Sequence, residues 1–413
     1  MSSGTSRSSL SVPMAQSPVS VPLLILKPTK SSLPSSQRFP ESLMRHFRVV
    51  PALALTLAVS VLGVACGSSS ATSSKTPLIV GSIAATSGSA APLGSSQQSG
   101  TALAVSELAN GSIDLRTYDE MSDVQAGATA MKKAISDGAH VVLGPTLSSA
   151  AAVADPFAQA AGVPVLGVTN ATLDMAAIGN LIWRVSLSEN AMVSASVKYA
   201  ASKKSVKNAV LIWEPADGYS TGSAESFRSA AKANGITITS EQKYVEGATS
   251  VGSISAAASS GSPDAIFLAL RSAPAGDFLV ATAASGAVRV GGNGFNSAAV
   301  VKSSGAAADG LIVSGSWNIN TSNANSKKFV DSYTKANNAV PDAFAAQGYA
   351  AIQVLLAALK KAKTASSADI QVALSKIGTV ETVLGPFAFD AQNEPSYPAA
   401  VQIVQGEAFT LAS

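Results

Sequence analysis

The feature that most constrains this chain is an alternation of strand-like and helix-like segments that runs twice. From Pro77 onward, short β-branched runs alternate with longer Ala-rich stretches. Leu78-Ile79-Val80-Gly81-Ser82-Ile83 reads as a strand. Residues 97–110 read as a helix ending at Asn110-Gly111, two residues that accept the left-handed turn of a helix end. Ile113 to Tyr118 alternates like a strand. Val124, Ala128, Met131 and Ile135 recur every three or four residues and predict a helix closed by Gly138. Val141-Val142-Leu143 and Val163-Pro164-Val165-Leu166 predict a third and a fourth strand.

The pattern then restarts, with strands expected at 208–213, 236–243, 264–270, 287–291 and 311–315. Apolar strands separated by helices imply buried parallel sheets wound in right-handed βαβ units. Two such blocks, 77–186 and 190–315, predict an α/β chain of two doubly wound parallel-sheet lobes. Residues 341–363 break the alternation. Pro341 suits a first helical turn, and Ile352, Leu355, Leu356 and Leu359 form one apolar stripe. A second helix is expected at 367–377, and the tail 384–411 is strand-like.

Composition narrows the function classes. With 47% hydrophobic residues the chain is far too apolar to be disordered overall. One cysteine excludes a disulfide framework and a multi-thiol metal site, and two histidines argue against a histidine-rich centre. No metal or other cofactor is expected. A net charge of +3 is too small for a nucleic-acid footprint.

That charge is unevenly placed. Residues 1–65 hold six basic residues and one acid, so the rest of the chain is slightly acidic. Basic Met44-Arg45-His46-Phe47-Arg48 precedes seventeen uncharged residues, Val49 to Ala65, and then Gly63-Val64-Ala65-Cys66-Gly67. A basic start, an apolar middle and small residues at a cleavage point make a secretory signal. The chain's only cysteine falls at that point. The segment 44–65 resembles a bacterial lipoprotein signal, in which the cysteine, here Cys66, is lipidated and becomes the first mature residue. Gly63 departs from the usual branched residue three places before the cysteine. The competing reading is a retained membrane span, for which seventeen residues is the lower limit. Residues 1–43, with thirteen Ser and six Pro, read as disordered or as the product of an upstream start codon, with Met44 the true start. Residues 66–76 read as a Ser-rich tether.

The order of segments from Leu78 to the C-terminus resembles the periplasmic solute-binding proteins of branched-chain amino-acid type. The stretches that carry it include Ser99-Gly100-Thr101-Ala102-Leu103-Ala104-Val105, Tyr118-Asp119-Glu120-Met121-Ser122-Asp123 and Val141 through Ser149. Ala161 to Leu166, Ser262 to Phe267 and Gly385-Pro386-Phe387 add to it. The resemblance implies two lobes joined by three crossovers: 77–188 plus 318–384 in the first, and 189–317 plus 385–413 in the second. It also implies hinge closure on a ligand held between the lobes.

Candidate ligand-binding residues follow from position and from the resemblance together. Ser148 and Ser149 follow a strand and a turn and open a helix, where free N–H groups and a hydroxyl suit an anion. The plainer reading is that Ser148 only caps its helix. In the family this serine and the loop after the next strand, here Gly167 to Thr172, hold the ligand's carboxylate. Thr169 matches a family contact; Ala171 replaces a hydroxyl-bearing threonine, and Thr172 could substitute through a small loop shift. Tyr219, in Asp217-Gly218-Tyr219, would present its ring across the cleft and offer its hydroxyl. Arg271 ends an apolar strand and could pair with a carboxylate, or else with Asp277 or another acid of its lobe. Asn293 stands where the family carries an acid for the ligand's ammonium. Arg271 present and that acid absent favour an anionic or neutral ligand. Trp183, Trp213 and Trp317 read as packing residues.

The reading that results is a monomeric, non-enzymatic solute-binding lipoprotein of an ABC importer. It would sit outside the cytoplasm, held to the outer face of the bacterial cell membrane by the lipid on Cys66. It would take a small carboxylate-bearing or amide-like metabolite and deliver it to permease subunits. A sensor lipoprotein that reports to a membrane partner without import would have the same binding domain. A hydrolase relying on carboxylates is the remaining competitor: His140, the one histidine beyond the signal, starts a strand, and no nucleophile elbow or nucleotide loop is present.

Overall fold

The computed structural model describes residues 77–172 and 175–412. The readings on 1–43, on the signal 44–65 and on Cys66 and its tether lie outside the described residues. Among the described residues no helix is long and apolar enough to cross a membrane.

The first lobe is built from β1 (Leu78–Ala84), α1 (Ala91–Leu108), β2 (Ile113–Asp119), α2 (Val124–Ser136), β3 (Val141–Leu143), α3 (Ser148–Ala161), β4 (Val165–Gly167) and β5 (Ile182–Arg184). Its five strands are parallel, in the order β2-β1-β3-β4-β5. The chain then crosses to α4 (Glu189–Lys203), β6 (Asn208–Trp213), α5 (Gly218–Ala233), β7 (Thr237–Lys243), α6 (Val251–Ser259), β8 (Ala265–Ala269), α7 (Ser272–Thr282), β9 (Val288–Gly291), α8 (Ala298–Ser304) and β10 (Ile312–Gly315). Here the parallel order is β7-β6-β8-β9-β10, the same winding repeated. The chain returns through α9 (Ala324–Asn337), α10 (Ala343–Leu359), α11 (Ser367–Leu374), β11 (Val380–Thr382), β12 (Gly385–Phe389) and β13 (Pro395–Ser396). It ends on β14 (Ala400–Gln405) and β15 (Ala408–Leu411), which extend the second sheet antiparallel beyond β10.

The strands are buried as an apolar parallel sheet requires: Val141, Val142 and Leu143 are wholly inside, as are Ile266, Phe267 and Leu268. Both faces of each sheet are covered. In the second lobe Phe227 of α5 stacks on Phe267 of β8 with ring centres 5.0 Å apart.

Three local differences from the sequence pattern have physical causes. Helix α1 starts at Ala91 rather than 97, with Pro92 in its first turn. The pattern there is diluted by Gly94, whose missing Cβ lets the helix lie on the backbone of Ala85. Helix α10 starts after Pro341, because the Asp342 side chain caps it by accepting the Ala345 N–H at 3.0 Å. The chain passes to the second lobe later than residue 385, where the resemblance put the boundary. Strand β12 pairs with β11 and β13. Phe389 packs on Trp183 at 4.8 Å and on Phe387 at 4.9 Å. Tyr397 donates to the Val185 carbonyl at 2.8 Å. The aromatic run therefore stays in the first lobe's core, and the chain joins the second sheet only at Ala400.

Helices α1 and α10 cross almost backbone to backbone. A Cβ on Gly100 would meet the Ala345 carbonyl oxygen at 2.0 Å, and one on Gly348 would meet the Gln97 carbonyl oxygen at 2.3 Å. This reciprocal glycine contact fixes α1, and with it Gln97, beneath the first lobe's binding edge.

Candidate functional site

In open parallel sheets the carboxyl ends of the strands face the ligand crevice. Both lobes follow this rule, and their strand ends face each other. The first lobe contributes Thr146 to Ser149 after β3, Thr169 and Ala171 after β4, and Ser89, Ala90 and Leu93 where α1 begins. The second contributes Asp217 and Tyr219 after β6, Arg271 to Ala273 after β8, and Asn293 and Gly294 after β9. Together they line one cleft, part of it open to solvent. Phe344 of α10 adds an apolar surface. Ser148, Ser149, Thr169, Ala171, Tyr219, Arg271 and Asn293 all line this cleft. Thr172 does not. Its N–H is turned to Ser148 Oγ at 3.3 Å and its carbonyl to the Arg184 guanidinium, while its own hydroxyl is buried without a partner.

The first wall carries no charge. Helix α3 begins at Ser148 without a side-chain cap from Leu147, so its first-turn N–H groups are left for other partners. Ser148 does not cap its own helix. Its hydroxyl oxygen accepts the N–H groups of Ala171 at 3.2 Å and Thr172 at 3.3 Å, which leaves its own proton to donate. Thr169 is arranged oppositely: its hydroxyl donates inward to Gln97 Oε1 at 2.9 Å. Behind Thr146 and Leu147 lies Glu120, wholly buried, accepting their N–H groups at 3.2 and 2.9 Å. Burial pushes its pKa from an ordinary 4.5 up to about 8. Asp155 of α3 is also buried, with neither carboxyl oxygen partnered. Burial, reinforced by the charge of Glu120, holds its pKa well above the usual range.

The second wall is charged, and it changes two sequence expectations. Arg271 lines the cleft but lies among acids of its own lobe. Its guanidinium lies 2.7 Å from Glu246, 3.4 Å from Asp217 and 3.5 Å from Glu214; Asp277 is not among these partners. Burial lowers its pKa, but the charges of Asp217, Glu214 and Glu246 outweigh this and raise it. Nor is an acid absent from this wall. Asp217, which caps α5 by accepting the Ser220 N–H at 2.8 Å, lines the cleft itself. Three carboxylates around one guanidinium remove the charge argument for an anionic or neutral ligand.

Tyr219 presents its ring, but its hydroxyl is already engaged. It donates to Glu189 Oε1 at 2.9 Å and accepts the Gly294 N–H at 2.9 Å. Glu189 is the junction of the site. It opens α4 just after the first crossing, and its N–H donates to the Ala171 carbonyl at 2.6 Å. Its carboxylate accepts Ser223 Oγ at 2.6 Å and the Asn293 N–H at 3.2 Å. One residue thus ties the first lobe's loop to the second lobe's wall. Burial raises its pKa against these hydrogen bonds. Sequence reasoning missed Glu189, Asp217 and Gln97. An acid in a first helical turn reads as a partner of the helix dipole, an Asp before Gly-Tyr as a cap, and a Gln within a helix as surface. None of the three tryptophans lines the cleft.

Two doubly wound lobes, crossed three times by one chain and meeting at a polar cleft, define a two-lobed binding protein. A family model described as Periplasmic binding protein matches residues 77–408, and the chain belongs to that family. The family places it outside the cytoplasm. No curated protein matches the chain. Among solved structures it is similar to the branched-chain amino acid transporter substrate-binding protein LivJ of Streptococcus pneumoniae in complex with isoleucine. That likeness has a TM-score of 0.75 at 25% identity and covers 81% of this chain and 97% of the other. The leucine-binding protein LivK of Thermotoga maritima gives 0.77 at 20% identity, covering 81% and 98%. An ABC transporter solute-binding protein of R. palustris in complex with benzoate gives 0.73 at 23%, covering 81% and 95%.

Proposed function

We propose that the chain is the solute-binding subunit of an ATP-driven importer. In this reading a lipid on Cys66 holds it at the outer face of the bacterial cell membrane. It traps a small carboxylate-bearing or amide-like metabolite between its lobes by hinge closure, and the closed form docks on the permease. One observation supports the reading above the others: the cleft is lined from both lobes, and its first wall offers only hydroxyls, N–H groups and apolar carbons. The Ser148 hydroxyl and the uncapped start of α3, including Ser149, take the ligand's carboxylate or carbonyl. Isoleucine and benzoate, the ligands in two of the similar structures, share a carboxylate and little else. The Tyr219 ring and Phe344 cover the apolar part of the ligand. In this reading the cleft binds rather than catalyses, and its charged lining residues, Asp217 and Arg271, lie against each other and beside Glu214 and Glu246.

The test is a thermal-shift screen of the purified chain against amino acids, their amides, aromatic acids and short-chain organic acids. Ligand at a hundred times its Kd adds about 2.7 kcal/mol to native stability, so a true ligand raises Tm by several degrees. A panel in which no carboxylate or amide raises Tm contradicts the reading.

A further inference from the structure

The inference concerns Gln97 and rests on the proposed reading of the cleft as a ligand site. Gln97 does not line the cleft and has no exposed surface. Its carboxamide nonetheless controls two residues that do line it. The Oε1 atom accepts the Thr146 hydroxyl at 2.9 Å and the Thr169 hydroxyl at 2.9 Å. Its Nε2 faces the Ile83 carbonyl oxygen at 3.4 Å. This orientation of the amide avoids setting two oxygens against each other at Ile83. The Thr146 hydroxyl oxygen in turn accepts the Ala85 N–H at 3.1 Å, and its proton points at Gln97 Oε1. Thr169 has one other acceptor, the Thr146 carbonyl at 3.2 Å, which is longer than a good hydroxyl hydrogen bond.

The two cleft hydroxyls are therefore polarised in opposite senses. Ser148 receives two N–H groups and has only its proton to give. Thr169 has given its proton to Gln97 and has only acceptor capacity left. We propose that Gln97 is a positioning residue for specificity: by drawing the Thr169 proton inward, it makes the first wall read a donor beside an acceptor. A ligand that fits presents a carboxylate or carbonyl to Ser148 and an adjacent N–H or O–H to Thr169. A plain carboxylate fills only half of this pattern and leaves a buried acceptor unpaired. The glycine-tight crossing of α1 and α10 holds Gln97 where this requires.

The test uses matched probes measured by calorimetry: L-leucine against 4-methylpentanoate, and L-phenylalanine against 3-phenylpropanoate. The wild-type chain prefers the amino member of the better-bound pair at least tenfold. Thr169→Val abolishes that preference and leaves the affinity for the plain acid within a few-fold, whereas Thr169→Ser keeps the preference. Gln97→Leu lowers the ratio at least fivefold. A loss of fit alone would weaken both members equally, so the ratio separates positioning from structure. A Gln97→Leu chain that binds both members with an unchanged ratio overturns this inference alone. A wild-type chain that binds neither pair counts against the cleft's reading and takes this inference with it.

Discussion

Replacing Glu120 by Gln should stabilise the protein in alkaline solution, although it removes a charge that accepts two backbone N–H groups. Glu120 is wholly buried, and among the described residues it accepts the N–H groups of Thr146 and Leu147 and pairs with no basic side chain. The charged groups that bear on it are Asp119 and Asp155, both acidic. Burial lifts its pKa from 4.5 to about 8, so the folded chain binds this proton more tightly than the unfolded chain does. The sign follows from that difference. The group's contribution is fully present below about pH 4.5, and it is lost as pH rises through about 8. At ~1.4 kcal/mol per pH unit, the whole gap is worth roughly 5 kcal/mol. Glutamine is neutral at every pH and keeps one oxygen acceptor. Glutamine leaves one of the two N–H groups facing an amide nitrogen, which costs about 1–3 kcal/mol; urea unfolding should therefore place Glu120→Gln about 1–3 kcal/mol below wild type at pH 5 and about 1–3 kcal/mol above it at pH 9. Asp155 acts with the same sign and leaves a residual slope in the variant. A variant less stable than wild type at pH 9, or an equal difference at both pH values, would refute the argument.

Other perturbations test the frame around the cleft. Gly348→Ala puts a methyl group 2.3 Å from the Gln97 carbonyl oxygen; it should cost about 1–3 kcal/mol in chemical unfolding and weaken ligand binding by lifting α1. Arg184 is buried at the first crossing, where it pairs with Glu394 and donates to the Thr172 carbonyl. Arg184→Ala should cost about 3–5 kcal/mol, read from the denaturation midpoint. Tyr219→Phe keeps the ring but leaves the Gly294 N–H without its acceptor; it should lower stability by about 1–3 kcal/mol while retaining most ligand affinity.

The sheets were legible in the sequence because buried parallel strands are continuous apolar runs, and Val141 to Leu143 or Ile266 to Leu268 can be little else. Strand β5 escaped because its three residues, Ile182, Trp183 and Arg184, end on a charge and are not a continuous apolar run. Helix α9 escaped because only Phe329 and Tyr333 mark its inner face among polar residues. At the site, position was readable and partnership was not. Ser148, Tyr219 and Arg271 could be placed at strand ends or helix starts from local pattern. Whether their hydrogen-bonding groups are free depends on residues distant in the chain. Glu189 occupies the Tyr219 hydroxyl from 30 residues away, and Gln97 turns Thr169 from 72 residues away. Arg271 pairs with Glu246 and Glu214, which reach it from beyond the ends of β7 and β6. No local period encodes such contacts.

Hydrogen–deuterium exchange with and without a solute identified by thermal shift tests the central claim most directly. Ligand held between the lobes should slow exchange at the start of α3, at the start of α5 and around Asn293 together, because both walls close on one solute. Protection confined to one lobe, or appearing away from the cleft, would contradict it.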